Sequence, residues 1–288
     1  MCPEDFQLIQ NWRFDPNITV DKEQFLTVAG WNEMTSIAQR YQRAFPTLLP
    51  STYNRNRITF RNTNRQRTQA TVRAFADGIF GSNGYQQVVF EPTPEPDWVL
   101  RPHDGCPLYD AVSDDTSQRQ SWQRGAEFQL MLSQVNSKLG LTGNQLLTPR
   151  QLRTLWDICN FEQLWNLAAP APYCGAFSVN NNAILEYFED LEYYYTVGYG
   201  GPRRLFENLN CHIMQDMLQY LQSNNPNDQQ ARIFSTHSTP LQLLLVTLGV
   251  FEDSVPLTWT NFAQQALRQW RSSYITPMAA NLAVIRYE

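Results

Sequence analysis

Two stretches of the chain carry a basic side chain from the end of an alternating apolar run into a helical one. In "RITFRNTNRQRTQATVRAF", Arg61 follows Ile58 and Phe60; in "ARIFSTHSTPLQLLLVTLG", His237 follows Ile233 and Phe234. In open α/β sheets, anionic ligands settle where a strand gives way to a helix, because the helix amino terminus offers unpaired backbone N–H groups. A guanidinium adds a planar fork that matches phosphate oxygens, so Arg61 and His237 together suit a phosphoryl group better than a neutral ligand. Each has a plainer use by itself: a strand-end arginine can pair with a surface carboxylate, and a lone histidine can pack or cap.

The elements that must position these two residues are legible from periodicity. Thr27 can cap a helix whose apolar face reads Met34, Ile37, Ala38, Tyr41 and Phe45, and Pro46 and Pro50 break it. Ile58 and Phe60 alternate as in a short strand, "NTN" turns, and Val72, Phe75, Ala76 and Ile79 form the stripe of a second helix before Gly81. Glu91 to Pro107 holds five prolines and reads as an irregular surface connection.

From Trp122 to about Leu221 the periods are helical, with Thr148 as a cap and Pro149 at a first helical position. Ala231 to Thr236 resumes a strand, and Leu241, Leu244, Leu245 and Leu248 line a helix ending at Gly249. The ends therefore read as α/β and the middle as α: a core from residues 1–110 and 225–288 around a helical insert at 111–224.

Composition narrows the classes. The 288 residues are 42% hydrophobic and 13% aromatic, enough for a packed core, and the net charge of -5 argues against nonspecific nucleic-acid binding, which needs a basic field. No run reaches the apolar length of a membrane span, and the opening "MCPEDFQLIQNW" lacks the layout of a secretory signal. The five cysteines form no CxxC pair and no ligand spacing with the three histidines, so neither a metal nor another cofactor is expected. Disulfides and buried thiols both fit the count, and Asn17 opens a glycosylation sequon, "NIT".

With these residues in view, the chain resembles the histidine acid phosphatases. "RNTNRQRTQATVRAF" is similar to that family's RxTxxxRT segment, whose first arginine, Arg61 here, is expected to contact the substrate phosphate, with Arg67 at the second arginine. "LTVAGWNEM" resembles the LTxxG helix start, and "THSTPLQLLLVTLG" the second histidine segment. "APYCGAF", "DLEYYYTVGYGGP" and "AANLAVIRYE" resemble the multiple inositol polyphosphate phosphatase branch. The resemblance implies an α/β fold of the phosphoglycerate-mutase-like kind, a three-layer sandwich with a large helical insert. It also implies a mechanism in which a histidine of an RHGxRxP motif attacks phosphorus and an acid protonates the leaving alcohol. Inositol polyphosphates or other phosphomonoesters are the expected ligands, and secretion or the endoplasmic-reticulum lumen the expected location; membrane association is left open.

Two parts of the family pattern are missing. No RHGxRxP occurs, and the proton donor should fall at Ser238 or Thr239, neither of which is a competent acid. Thr239, followed by Pro240, fits a helix cap instead. The expectation is therefore that Met1 is an internal or misassigned start, that the first central strand with the nucleophile lies upstream, and that this chain hydrolyses nothing measurable. A pseudoenzyme that binds anions or a partner, and a broad-specificity secreted acid phosphatase, are the alternatives. The resemblance also suggests a Cys174–Cys211 bridge and a cationic rim at Arg203 and Arg204, although such an arginine pair has solvated surface as its plainer reading.

Overall fold

The computed structural model describes residues 1–287 and divides into two compact units, each assembled from separate stretches of chain. Unit 1 comprises residues 1–23, 113–201 and 251–274; unit 2 comprises 24–112, 202–250 and 275–288. Helix α1 (Pro3–Asn11) opens unit 1. Unit 2 then begins with α2 (Val28–Ala44), β1 (Ile58–Asn62), α3 (Gln66–Phe80) and the single turn α4 (Pro107–Asp110). Unit 1 resumes with α5 (Ser117–Arg124), α6 (Ala126–Leu139), α7 (Pro149–Trp165) and α8 (Val179–Thr196). Unit 2 continues with α9 (Arg203–Leu209), α10 (Cys211–Gln222), β2 (Ala231–Ser235) and α11 (Ser238–Thr247), and a last turn, α12 (Ser272–Ile275), closes the series.

In unit 2, β1 and β2 pair in parallel with Ile58 opposite Ala231 and Asn62 opposite Ser235. An isolated parallel bridge joins Phe60 to Phe90. Alternation buries Ile58 and Phe60 with Ala38, Leu49, Val72, Ala76, Ile79 and Val88 in one cluster. Rings of Phe80 and Phe90 meet Phe60 edge-on, each at 6.0 Å between centroids. Parallel pairing between segments so far apart in sequence requires long connections, and the helices provide them.

Helices α2 and α3 follow their sequence signals. Thr27 accepts from the Gly30 N–H at 3.2 Å, and Gly81 takes φ +89° just past the end of α3, where a side chain would be strained. The pair crosses closely at Gly78: a Cβ built there would lie 2.4 Å from the Thr35 carbonyl and 2.5 Å from the Ala38 Cβ. No other residue type fits that crossing without moving backbone.

Unit 1 is built around α8, where Ile184, Leu185, Tyr187, Phe188, Leu191 and Tyr194 are all buried. Buried Trp122 of α5 donates its indole N–H to the Ile184 carbonyl at 3.2 Å. Asp190 is fully buried and compensated: its Oδ2 accepts from Arg268 Nε at 2.6 Å, and its Oδ1 accepts from the Ser272 N–H and hydroxyl at 2.7 and 2.6 Å. The cap foreseen at Thr148 forms, and the structure adds Gln151 as its partner in a capping box.

The disulfide expectation needs correction. Cys174 bonds Cys159, not Cys211, which is free and exposed at the start of α10. Cys159 lies in α7 and Cys174 in the turn Pro172–Ala176 packed against that helix, so the bridge closes locally within unit 1.

Candidate phosphate site

The carboxyl ends of β1 and β2 lead into the amino termini of α3 and α11 within unit 2. Thr63, one residue past β1, donates its N–H to the Ser235 carbonyl at 3.2 Å, so both strands end in register. His237 occupies the cap position of α11 in extended backbone, and its side chain caps nothing. Arg65 holds the same place before α3, again without a side-chain cap bond. Both helix starts thus keep first-turn N–H groups and the positive end of the helix dipole available to a ligand.

The imidazole of His237 is held from two sides. Its Nδ1 lies 3.2 Å from an Nη of Arg67, and its Nε2 lies 2.9 Å from Thr63 Oγ1. A guanidinium can only donate, so Nδ1 accepts and the proton sits on Nε2, pointing at Thr63. Thr63 Oγ1 in turn is 2.9 Å from Thr68 Oγ1, which donates to the Thr63 carbonyl at 2.8 Å. Both threonines are buried, so the chain Thr68–Thr63–His237 fixes one tautomer and one ring orientation.

Charge around the ring is predominantly positive. Burial, then Arg67, Arg101, His103 and Arg65, push His237 down to about 4. Arg67 is lowered from the usual arginine value by burial, then by Arg65 and Arg101. Arg101 has Asp104 as a partner at 2.5 Å, whereas Arg65 and Arg67 make no ion pair among the described residues. The neutral Arg67 contacts are Gln24 Oε1 at 2.8 Å and the imidazole itself. A cation left uncompensated between two uncapped helix starts has the charge and the donor geometry that suit an oxyanion, with Arg67 offering the fork.

Of the residues anticipated from sequence, His237 lies in this basin and Arg61 is engaged elsewhere. The Arg61 guanidinium pairs with Asp97, whose Oδ1 also accepts from the N–H groups of Val99 at 3.2 Å and Leu100 at 2.9 Å. It is Arg67 that touches His237. Thr239 is not the cap of α11: His237 takes that position, which puts Thr239 and the buried Pro240 inside the first turn, where a missing N–H costs no helical bond. Arg203 pairs with Glu207 one turn along α9 at 2.8 Å, an exposed helical pair. Thr63 and Thr68 were not named from sequence, and Arg67 was named only as the second arginine of the resemblance, although "NTNRQRT" contains all three; the signal was Arg67 one residue inside a helix start, where a ligand would sit.

The chain belongs to the histidine phosphatase superfamily (branch 2), whose family model matches residues 4–288. It is 34% identical over 290 residues to Multiple inositol polyphosphate phosphatase 1 of Drosophila melanogaster, covering 100% of this chain and 60% of that protein. The Gallus gallus protein of the same name is 28% identical over 275 residues, covering 91% of this chain and 59% of that one. The chain thus spans about 60% of the length of these curated relatives. Among solved structures, the phytase from D. castellii superposes with a TM-score of 0.70 at 16% identity, over 89% of this chain and 54% of that chain. A Bifidobacterium longum multiple inositol polyphosphate phosphatase complexed with inositol hexasulfate gives a TM-score of 0.61 at 13% identity, over 88% of this chain and 68% of that chain.

Proposed function

We propose that unit 2 binds a phosphoryl group of an inositol polyphosphate between Arg67 and His237, and that the 288-residue chain by itself does not turn it over. The observation that carries this reading is the direct contact of an unpaired guanidinium with a neutral, oriented imidazole at two uncapped helix starts. Arg67 would hold two phosphate oxygens, and first-turn N–H groups of α11 a third. His237 would stand beside the anion, and Thr63 would keep its ring in place. Arg61 serves this site indirectly, through the Asp97 turn that leads to Arg101. The names of the relatives support a phosphomonoester ligand, and inositol polyphosphates are the class we favour.

Turnover in this family pattern uses an attacking histidine and an acid, and this chain has no RHGxRxP and carries Thr239 at a donor position. Loss of a positioned general acid by itself typically costs roughly 10² to 10⁴ in rate. The Cys159–Cys174 bridge and the exposed Asn17 of the sequon favour an oxidising compartment such as the secretory lumen.

Calorimetric titration of the chain with phytate, alongside phosphate-release measurements, tests both halves. Binding is expected without release, and Arg67→Ala should weaken it by about tenfold to a hundredfold, since a charge-assisted contact contributes about 1.5–3 kcal/mol. Phytate that fails to shift the His237 ring resonances, or that shifts them equally in Arg67→Ala, would remove the site, and phosphate release that co-purifies with the chain would remove the claim of no turnover.

A further inference from the structure

Helices α5, α7 and α8 of unit 1 line an open, solvent-facing cavity of about 470 Å³. Its lining includes Arg119, Gln123, Arg124, Arg150, Arg153 and Phe188. Four guanidiniums on one cavity need an explanation, because like charges gathered at a surface repel unless something neutralises them.

Two of the four are explained. Arg119 pairs with Glu192 and Arg153 with Glu189, and both guanidinium carbons lie 5.2 Å from the centroid of the buried Phe188 ring. This aromatic floor and the α8 carboxylates hold the inner pair rigidly in place. Arg153 also reaches Asp157 at 3.6 Å. The outer two are not explained: Arg124 and Arg150 are exposed and make no ion pair among the described residues. The acidic side of the balance is weaker than it looks. Burial pushes Glu189 up to about 7 against the pull of Arg153, with Glu192, Asp157 and Arg119 facing it as well. At neutral pH the cavity therefore carries an excess of positive charge.

We propose that this cavity is a second anion site, which takes a compact polyphosphorylated small molecule through the guanidinium forks of Arg124 and Arg150. The inner pair, Arg119 and Arg153, supplies positive potential behind the ligand while staying bound to α8. Phosphate suits the site better than carboxylate: each group offers three oxygens and up to two charges to planar forks on separate helices. The site belongs wholly to unit 1 and does not depend on Arg67 or His237.

The test uses the full chain carrying Arg67→Ala, so that the unit 2 site is weakened by about tenfold or more, titrated with inorganic tripolyphosphate in a calorimeter. Saturable 1:1 binding is expected to persist, and adding Arg124→Ala and Arg150→Ala should weaken it by about tenfold or more. Arg124→Lys with Arg150→Lys should recover part of the loss, since charge remains and the fork is gone. Citrate should bind more weakly than tripolyphosphate. Absence of saturable binding in the Arg67→Ala chain, or equal binding in the chain also lacking both outer arginines, would overturn the site; citrate binding as tightly as tripolyphosphate would overturn its assignment to phosphate. Should the alanine chain fail to fold, the lysine chain, together with slowed amide exchange in the first turn of α7 on adding tripolyphosphate, gives the same decision.

Discussion

At the scale of single residues, the decisive contact is the one between Arg67 and His237. The ring nitrogen facing a guanidinium must accept, so protonation of His237 would break that bond and place two cations 3.2 Å apart. This is why the residue is held down to about 4, after the effect of its burial. The sign of the resulting pH dependence follows. Below about 6.5 the unfolded chain takes up a proton here that the folded chain refuses until about 4, so unit 2 loses stability as the pH falls through that window. A bound anion reverses the preference by favouring the charged ring. Sulfate, which stays fully ionised over the window, should therefore bind more tightly as the pH is lowered from 6.5 to 4, with His237 titrating at a higher pH in its presence. Proton NMR of the His237 ring with and without sulfate checks this; an identical titration in both samples would separate His237 from the anion. The residue type and position were legible in the sequence. Its partner was not, because Arg61, Arg65 and Arg67 look alike as letters and only the direction of each side chain separates them.

Among the elements, the crossing of α2 and α3 decides whether β1 can present its carboxyl end. Periodicity marked both helices: Met34, Ile37 and Ala38 on one and Val72, Ala76 and Ile79 on the other are buried as the stripes require. Gly78 carries no such pattern signal, yet it is the point of closest approach. Gly78→Leu should destabilise unit 2 by about 1–3 kcal/mol, as overpacking does, because the Thr35 carbonyl that the new Cβ meets is backbone and cannot rotate aside. Urea denaturation followed through unit 2 amide exchange measures it, and a cost below a few tenths of a kcal/mol would show that the crossing relaxes freely. The same distinction governs α11. Its apolar run was evident, but the cap fell on His237 rather than Thr239, since strand pairing with β1 fixes where β2 ends and the helix starts at the next position open to it.

For the whole molecule, the two units draw their stability from different sources. Unit 2 has a sheet and a core of aliphatic and aromatic side chains, whereas unit 1 ties a loop to α8 through the buried Arg268–Asp190 pair and closes α7 with the Cys159–Cys174 bridge. Arg268→Ala should cost unit 1 about 3–5 kcal/mol, because Asp190, already raised by burial, would be left without its cation in a dry interior. Thermal unfolding of this variant beside Asp190→Asn with Arg268→Met, which removes both charges, separates the two causes: the double variant should recover much of the loss. Equal loss in both would mean that packing, not the stranded charge, sets the cost. Neither Asp190 nor Arg268 could be singled out by letter pattern, since they stand 78 positions apart.

The amino-acid sequence by itself determined the family, an α/β fold with a large helical part, most helix faces, and the basic residues at the two strand-to-helix junctions, because these follow from local periodicity and short motifs. Tertiary structure alone decided which arginine meets the histidine, which cysteine bonds Cys174, and where uncompensated charge gathers in unit 1. Those are matters of distance and burial between residues far apart in the chain, and local order does not encode them.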